Sequence, residues 1–267
     1  MTNKNLSVTI IQSNLYWEDI EANLEMFAKK INNIKSKTDL IILPEMFTTG
    51  FSMKNKSLAE KMNGKSVSWM KELALKKKCV LTGSLIIEEK NKYYNRLVWM
   101  QPNGRFFTYD KRHLFSYGNE QNHYTAGKQK LIVELNGWKI CPLVCYDLRF
   151  PVWARNKNLR SKSPEYDLLL FVANWPERRN HPWKTLLMAR AMENQSYVIG
   201  VNRVGDDGNK IYHSGDSAVI NYVGEVISKT KPHKENIETV LLSKEALDEW
   251  RKNFPALADA DTFSVSN

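Results

Sequence analysis

Cys145 stands where an apolar run, Leu131 to Val144, gives way to the polar, turn-prone stretch Tyr146-Asp147-Leu148-Arg149. A thiol at the exit of a buried strand lies beside backbone N–H groups that can face whatever the sulfur attacks. It attacks as the thiolate, so its proton needs somewhere to go. Two further reactive side chains end strand-like runs in the same way: Glu45 follows Leu40-Ile41-Ile42-Leu43-Pro44, and Lys111 follows Phe106-Phe107-Thr108-Tyr109-Asp110. A carboxylate there can take the thiol proton and later activate water. An ammonium beside the sulfur lowers the thiol pKa and hydrogen-bonds a developing oxyanion. Three such groups ending three strands are what an open sheet assembles at one edge. Each also has a plain structural reading: Cys145 as a core cysteine, Lys111 as a solvated surface residue, Glu45 as the first residue of a helix. Cys141 is the internal control, since it shares the strand and the face with Cys145 but has no polar sequel. His113, His123, His181 and His213 leave a Cys-His pairing open.

The elements that must position these groups follow from hydrophobic periodicity. Strands are expected at Leu6 to Gln12, Leu40 to Leu43, Leu168 to Val172 and Ser196 to Val201. A meander is expected over Val80 to Glu88, Tyr93 to Gln101 and Phe106 to Tyr109, its last turn at Pro102-Asn103-Gly104. Hairpins are expected for Leu131 to Leu135 with Trp138 to Val144 around Asn136-Gly137, and for Ser217 to Tyr222 with Val226 to Thr230. Helical spacing marks Ile20 to Ile34, Ser66 to Lys78, Pro182 to Asn194 and Lys244 to Lys252. Strands alternating with helices, plus hairpins, predict a mixed-sheet α/β fold with helices covering the sheet faces. One domain over residues 5–235 and a C-terminal extension over 236–267 are expected.

Composition narrows the function. A chain of 267 residues can bury a substantial core. No apolar run reaches the roughly 20 residues that span a bilayer, and the N-terminus reads straight into a strand without a signal-peptide pattern. Three cysteines, Cys79, Cys141 and Cys145, suggest neither a disulfide framework nor a zinc site, so a cytoplasmic setting is expected. The net charge of +10 invites a nucleic-acid reading. The basic residues are scattered, however, and the aromatics lie within apolar strands, which argues against it.

Leu43-Pro44-Glu45, Tyr109-Asp110-Lys111-Arg112-His113-Leu114 and Leu143-Val144-Cys145-Tyr146-Asp147-Leu148-Arg149-Phe150-Pro151 resemble, in order and spacing, the three signatures of the nitrilase superfamily of carbon–nitrogen hydrolases. Gly83-Ser84, Asn95-Arg96, Ala173-Asn174-Trp175-Pro176, Ala189 to Asn194 and Gly215-Asp216-Ser217 support it. Within the superfamily, Pro44 to Phe51, Tyr109 to Phe115 and Val172 to Pro176 are most similar to the bacterial omega-amidases. The resemblance implies Glu45 as proton acceptor, Lys111 as proton donor and oxyanion partner, and Cys145 as nucleophile. It also implies Glu120 as a second active-site glutamate. One departure is Val152, where many relatives carry Glu.

The fold implied is an α-β-β-α sandwich that pairs into a homodimer, with the tail from Ser243 a candidate for that interface. The activity implied is amide hydrolysis through a thioester, without metal or organic cofactor. The Tyr146 N–H joins Lys111 on the oxyanion. Small 2-oxo dicarboxylate monoamides such as 2-oxoglutaramate and 2-oxosuccinamate are the implied substrates. Their far carboxylate needs a cation, for which Arg149 is the first candidate and Arg178 and Arg179 the fallbacks. Phe51, Asn174 and Trp175 are expected around the substrate. The competing readings are a deaminated glutathione amidase, an N-carbamoyl amino acid hydrolase, a nitrile hydrolase and an inactive binding protein on the same fold.

Overall fold

Alternation along the first strands sets the layers. In β1 (Asn5–Gln12), Leu6, Val8 and Ile10 fall on one face and Ile11 on the other. Successive strand side chains point to opposite faces, so a strand apolar on both must be covered on both. A computed structural model describes residues 5–157 and 163–265 and shows that cover. Leu6, Val8 and Ile10 pack into a core shared with a second sheet, while Ile11 packs with Leu24, Phe27 and Ile31 of α1 (Ile20–Asn32). Asp19 caps α1 by accepting from the Ala22 N–H at 3.0 Å. β2 (Leu40–Ile42) repeats the split, with Leu40 and Ile42 inward and Ile41 toward the helices.

After a short helix α2 (Asn55–Leu58) comes α3 (Lys65–Lys77), whose Val67, Met70, Leu73 and Ala74 join Ile41 and Leu81. The expected meander follows as β3 (Val80–Glu89), β4 (Lys92–Met100) and β5 (Phe106–Asp110). The hairpin β6 (Val133–Leu135) and β7 (Trp138–Val144) opens the second sheet. A helical turn Cys145–Arg149 and α4 (Pro151–Ala154) lead on to β8 (Leu168–Ala173), α5 (Asn180–Asn194) and β9 (Tyr197–Asn202). A small hairpin of β10 (Val204–Asp206) and β11 (Tyr212–Ser214) precedes β12 (Ala218–Ile220). The chain then forms β13 (Asn236–Ser243) and α6 (Lys244–Asn253).

The first sheet runs β13-β1-β2-β3-β4-β5 and the second β12-β9-β8-β7-β6. Both are mixed: β1, β2 and β3 are parallel, as are β7, β8 and β9, and the outer pairs are antiparallel. The inner faces of the two sheets share one core, α1 and α3 cover the first sheet, and Trp183, Leu187 and Ala191 of α5 cover the second. This is the expected α-β-β-α order.

Two segments differ from expectation. Val226 to Thr230 does not pair as a strand; one isolated bridge joins Ile220 to Val226. The Glu238 carboxylate instead takes the Lys229 N–H at 2.7 Å, a backbone donor that a ladder would have used, and the Thr230 hydroxyl at 2.6 Å. The segment expected to open the extension adds a strand: β13 pairs residue for residue with β1, from Asn5 with Ser243 to Gln12 with Asn236.

Candidate active site

Four strands deliver the site. β2 runs parallel to β3, and β5 reverses twice from β3, so β2 and β5 end at the same edge. In the facing sheet, β7 and β8 are parallel and end together. Glu45, Lys111, Cys145 and Asn174 follow those four ends, the crevice position that open α/β sheets favour.

Glu45 lies in a buried turn and begins no helix. Met46 beside it has φ +42°, and its N–H donates to Ser84 Oγ at 2.8 Å. Gly83 keeps that turn tight, because a Cβ there would lie 2.9 Å from Phe47 Cδ1 and 3.0 Å from Leu43 Cβ. Lys111 is set by Arg96, which faces Asp110 across β4 and β5 and grips it with Nε at 2.6 Å and Nη2 at 2.9 Å. The Lys111 N–H donates to the Asn95 carbonyl at 3.0 Å. Cys145 has φ +44°, a left-handed backbone that costs a non-glycine residue on the order of 1 kcal/mol or more.

These backbone settings bring the charged ends together. Lys111 Nζ donates to Glu45 Oε1 at 2.9 Å and to Glu120 Oε2 at 2.9 Å, all three side chains buried. Asn95 Nδ2 bridges the carboxylates, 2.8 Å from Glu45 Oε1 and 3.1 Å from Glu120 Oε1. Glu120 also accepts the Phe115 N–H at 2.5 Å, and Glu45 Oε2 accepts the Asn174 N–H at 2.8 Å. Burial works against the Lys111 ammonium, yet Glu120 and then Glu45 outweigh it and hold its pKa above the ordinary value. For Glu120 burial raises the pKa, Lys111 opposes, Glu45 adds to the rise, and the net direction is up.

The thiol departs from the sequence expectation. Burial is the largest influence on Cys145 and pushes its pKa well above the ordinary value. Glu45 adds to this by its charge and by accepting the thiol hydrogen bond, while Lys111 and the Asn174 N–H pull down without prevailing. At rest Cys145 is therefore a thiol hydrogen-bonded to a carboxylate that can accept its proton. None of the four candidate histidines, out of five in the chain, takes the place of Glu45 beside the thiol. His113 is bound to Asp147 and stacked on Phe150 at 3.7 Å, and His123 and His181 do not line the cavity. His213 does line it, but burial and then Arg203 lower its pKa to about 4, leaving it neutral.

A cavity of about 440 Å³ opens over the thiol, and Glu45, Phe51, Lys111, Cys145, Tyr146, Arg149, Asn174 and Trp175 all line it. Glu120 does not; it sits behind Lys111. Trp17, Met53, Tyr117 and Ile211, which carried no role in the sequence, also line the cavity. Arg149 lies over the Trp175 ring at 4.8 Å, and Arg179 over Phe115 at 5.2 Å. Arg178 also lines the cavity, and none of the three arginines is ion-paired with a carboxylate among the described residues. Burial, then Arg178 and Arg149 close by, lower the Arg179 pKa. Three guanidiniums crowded at one wall present a site for an anion. Among the described residues no group of three or more His, Cys, Asp or Glu is placed to hold a metal ion, and no helix is long and apolar enough to cross a membrane.

The family model described as Carbon-nitrogen hydrolase matches residues 7–252. The chain is 46% identical to Omega-amidase YafV of Escherichia coli (strain K12), covering 97% of this chain and 98% of that protein. It is 28% identical to the 2-oxoglutaramate amidase of Bacillus subtilis (strain 168), covering 95% and 96%. The crystal structure of XC1258 from Xanthomonas campestris, a CN-hydrolase superfamily protein with an arsenic adduct in its active site, superposes with a TM-score of 0.95 at 43% identity, covering 98% and 99%.

Proposed function

The chain belongs to the carbon–nitrogen hydrolase family, and on that premise we propose that it is an omega-amidase, releasing ammonia from the terminal amide of 2-oxoglutaramate and 2-oxosuccinamate. The observation that carries the reading is the closed set of a Cys145 thiol, a Glu45 carboxylate and a Lys111 ammonium in one buried network under the cavity. The relatives named for omega-amidase and 2-oxoglutaramate amidase activity point to the substrate class.

The sulfur of Cys145 bonds to the amide carbon while its proton passes to Glu45 and the C=O electron pair moves to oxygen. The Lys111 ammonium and the Tyr146 N–H, the second amide of the helical turn that begins at Cys145, hold that oxyanion. The intermediate collapses, Glu45 gives the proton to the departing nitrogen, and ammonia leaves a thioester. Glu45 then takes a proton from water, whose oxygen attacks the thioester carbon. Breakage of the C–S bond releases the acid and returns the proton to sulfur. Glu120 keeps Lys111 charged throughout. Arg149 binds the far carboxylate, with Trp175 beneath its guanidinium, and Phe51 and Asn174 flank the reacting end.

We place the enzyme in the cytoplasm as a homodimer. Val152, Met192 and Val226, each more than half exposed, give the α4 and α5 side an apolar surface suited to a second copy. The test of function is ammonia release from 2-oxoglutaramate by the parent and by Cys145→Ala, beside deaminated glutathione, an N-carbamoyl amino acid and a nitrile. Turnover of 2-oxoglutaramate that vanishes in the variant supports the proposal. Turnover of another panel member alone overturns the substrate, and activity surviving in Cys145→Ala overturns the nucleophile.

A further inference from the structure

Asp147 lies two residues after the nucleophile, is fully buried, and does not line the cavity. Its two oxygens gather donors from two separate stretches of chain, one around Lys111 and one just before Cys145. Oδ2 accepts the Tyr109 hydroxyl at 2.8 Å and the Val144 N–H at 3.0 Å. Oδ1 accepts the His113 N–H at 3.0 Å and lies 2.7 Å from His113 Nδ1. Tyr109 is held in turn by the Trp153 indole N–H at 3.0 Å. The geometry points to Asp147 as the positioning residue that holds Cys145 in its reactive backbone conformation and sets it in register with Lys111.

Two consequences of these contacts carry the inference. The Asp147 side chain returns to Val144, so Cys145 sits inside a loop closed from both sides, and its φ of +44° is imposed there. A strained non-glycine backbone persists where surrounding contacts over-determine it. The other two donors flank Lys111: Tyr109 precedes it by two residues and His113 follows it by two. One carboxylate thus fastens the turn that presents the thiol and the Tyr146 N–H to the loop that presents the ammonium. If the loops drift apart, the two oxyanion donors no longer converge, and a displacement near 1 Å is enough to slow such a reaction about 100-fold.

A residue that only stabilises the fold would not single out chemistry. Asp167 provides the comparison, for it is also a buried aspartate, bound to Lys244, Arg251 and the Lys139 N–H away from the cavity. Asp147→Asn keeps the shape but sets an NH2 group against either the Val144 or the His113 N–H. The experiment measures kcat, KM and the rate of Cys145 alkylation by iodoacetamide for Asp147→Asn, Tyr109→Phe and Asp167→Asn. For Asp147→Asn, kcat and alkylation are expected to fall together by about 100-fold, with KM within about threefold. Tyr109→Phe removes one of the four contacts, gives a smaller loss of the same kind, and carries the test if Asp147→Asn does not fold. Asp167→Asn is expected to lower the melting temperature and leave kcat and alkylation in place. The inference is overturned if Asp147→Asn, or Tyr109→Phe in its stead, behaves like Asp167→Asn, or if KM rises while kcat holds. The inference rests on Cys145 being the nucleophile. Alkylation needs no substrate, so a wrong substrate assignment and a wrong role for Asp147 give different results.

Discussion

Replacing Glu120 by Gln asks how a lysine with no solvent contact stays charged. Lys111 Nζ lies 2.9 Å from Glu120 Oε2 and 2.9 Å from Glu45 Oε1. At an effective dielectric of about 20, unit charges at that separation attract by about 6 kcal/mol. Burying an ammonium costs several kcal/mol, so neither carboxylate leaves much margin alone. Gln fills the same space, but if its oxygen keeps the Phe115 N–H, its NH2 faces Lys111 and Asn95, both donors. The sign follows from the charges: Glu120 holds the Lys111 pKa up, so its loss lets burial pull that pKa down. In Glu120→Gln the basic limb of the kcat profile is expected to move to lower pH. The value of kcat falls by about 100-fold at neutral pH, on the order of losing one oxyanion donor. KM stays near the parent value because Glu120 does not touch the cavity. Stability falls by about 1–3 kcal/mol from the mismatched amide, which for a chain of this size lowers Tm by several degrees. Steady-state ammonia release from pH 6 to 10, with a thermal melt of the same sample, reads all four quantities. A kcat within threefold of the parent and an unmoved basic limb refute the reasoning.

Two other outcomes follow from the same geometry. Arg149→Met should raise KM for 2-oxoglutaramate by about 10–100-fold while sparing kcat; an unchanged KM would move the carboxylate to Arg178 or Arg179. The three buried thiols should also make the fold sensitive to alkali, since burial raises Cys79 to about 11, Cys141 to about 12 and Cys145 well above the ordinary value. An unfolded chain releases those protons from about pH 8.5 and the folded one retains them, so their contribution is whole below that pH and is lost as pH rises through the folded values. The slope is about 1.4 kcal/mol per pH unit for each thiol, hence about 4 for three; urea unfolding at pH 8 and pH 10 that shows no such loss would contradict the burial.

The site was legible to different depths for stated reasons. Glu45, Lys111 and Cys145 stand out because each interrupts an apolar run at a strand end, a local signal. Glu120 has no such run beside it and was reached through resemblance; only the folded chain puts it 2.9 Å from a lysine nine residues earlier. Asn95 carried no role in the sequence, although a polar pair, Asn95-Arg96, inside the apolar strand β4 is a visible oddity, and in the structure both members serve the Lys111 region. Asp147 gave a weaker signal still, for its partner Tyr109 lies 38 residues away. The strand β13 was missed because it is an edge strand with little burial, its residues Glu238, Thr239 and Leu241 reading as surface. What makes it a strand is a ladder to β1 more than 200 residues distant.

By itself the sequence determined the alternation of strands and helices, the two-sided apolar character of the central strands, and the types of the groups at their ends. Those properties are local: hydrophobic period, turn residues and the chemistry of one side chain after another. The tertiary structure decided which strand ends share an edge, and therefore that two carboxylates flank one ammonium. It also decided that the thiol keeps its proton. A lysine at a neighbouring strand end was expected to lower the thiol pKa, but burial and the Glu45 charge act through space and outweigh it. A pKa is set by everything within a few ångströms of a group, and only folding determines which groups those are.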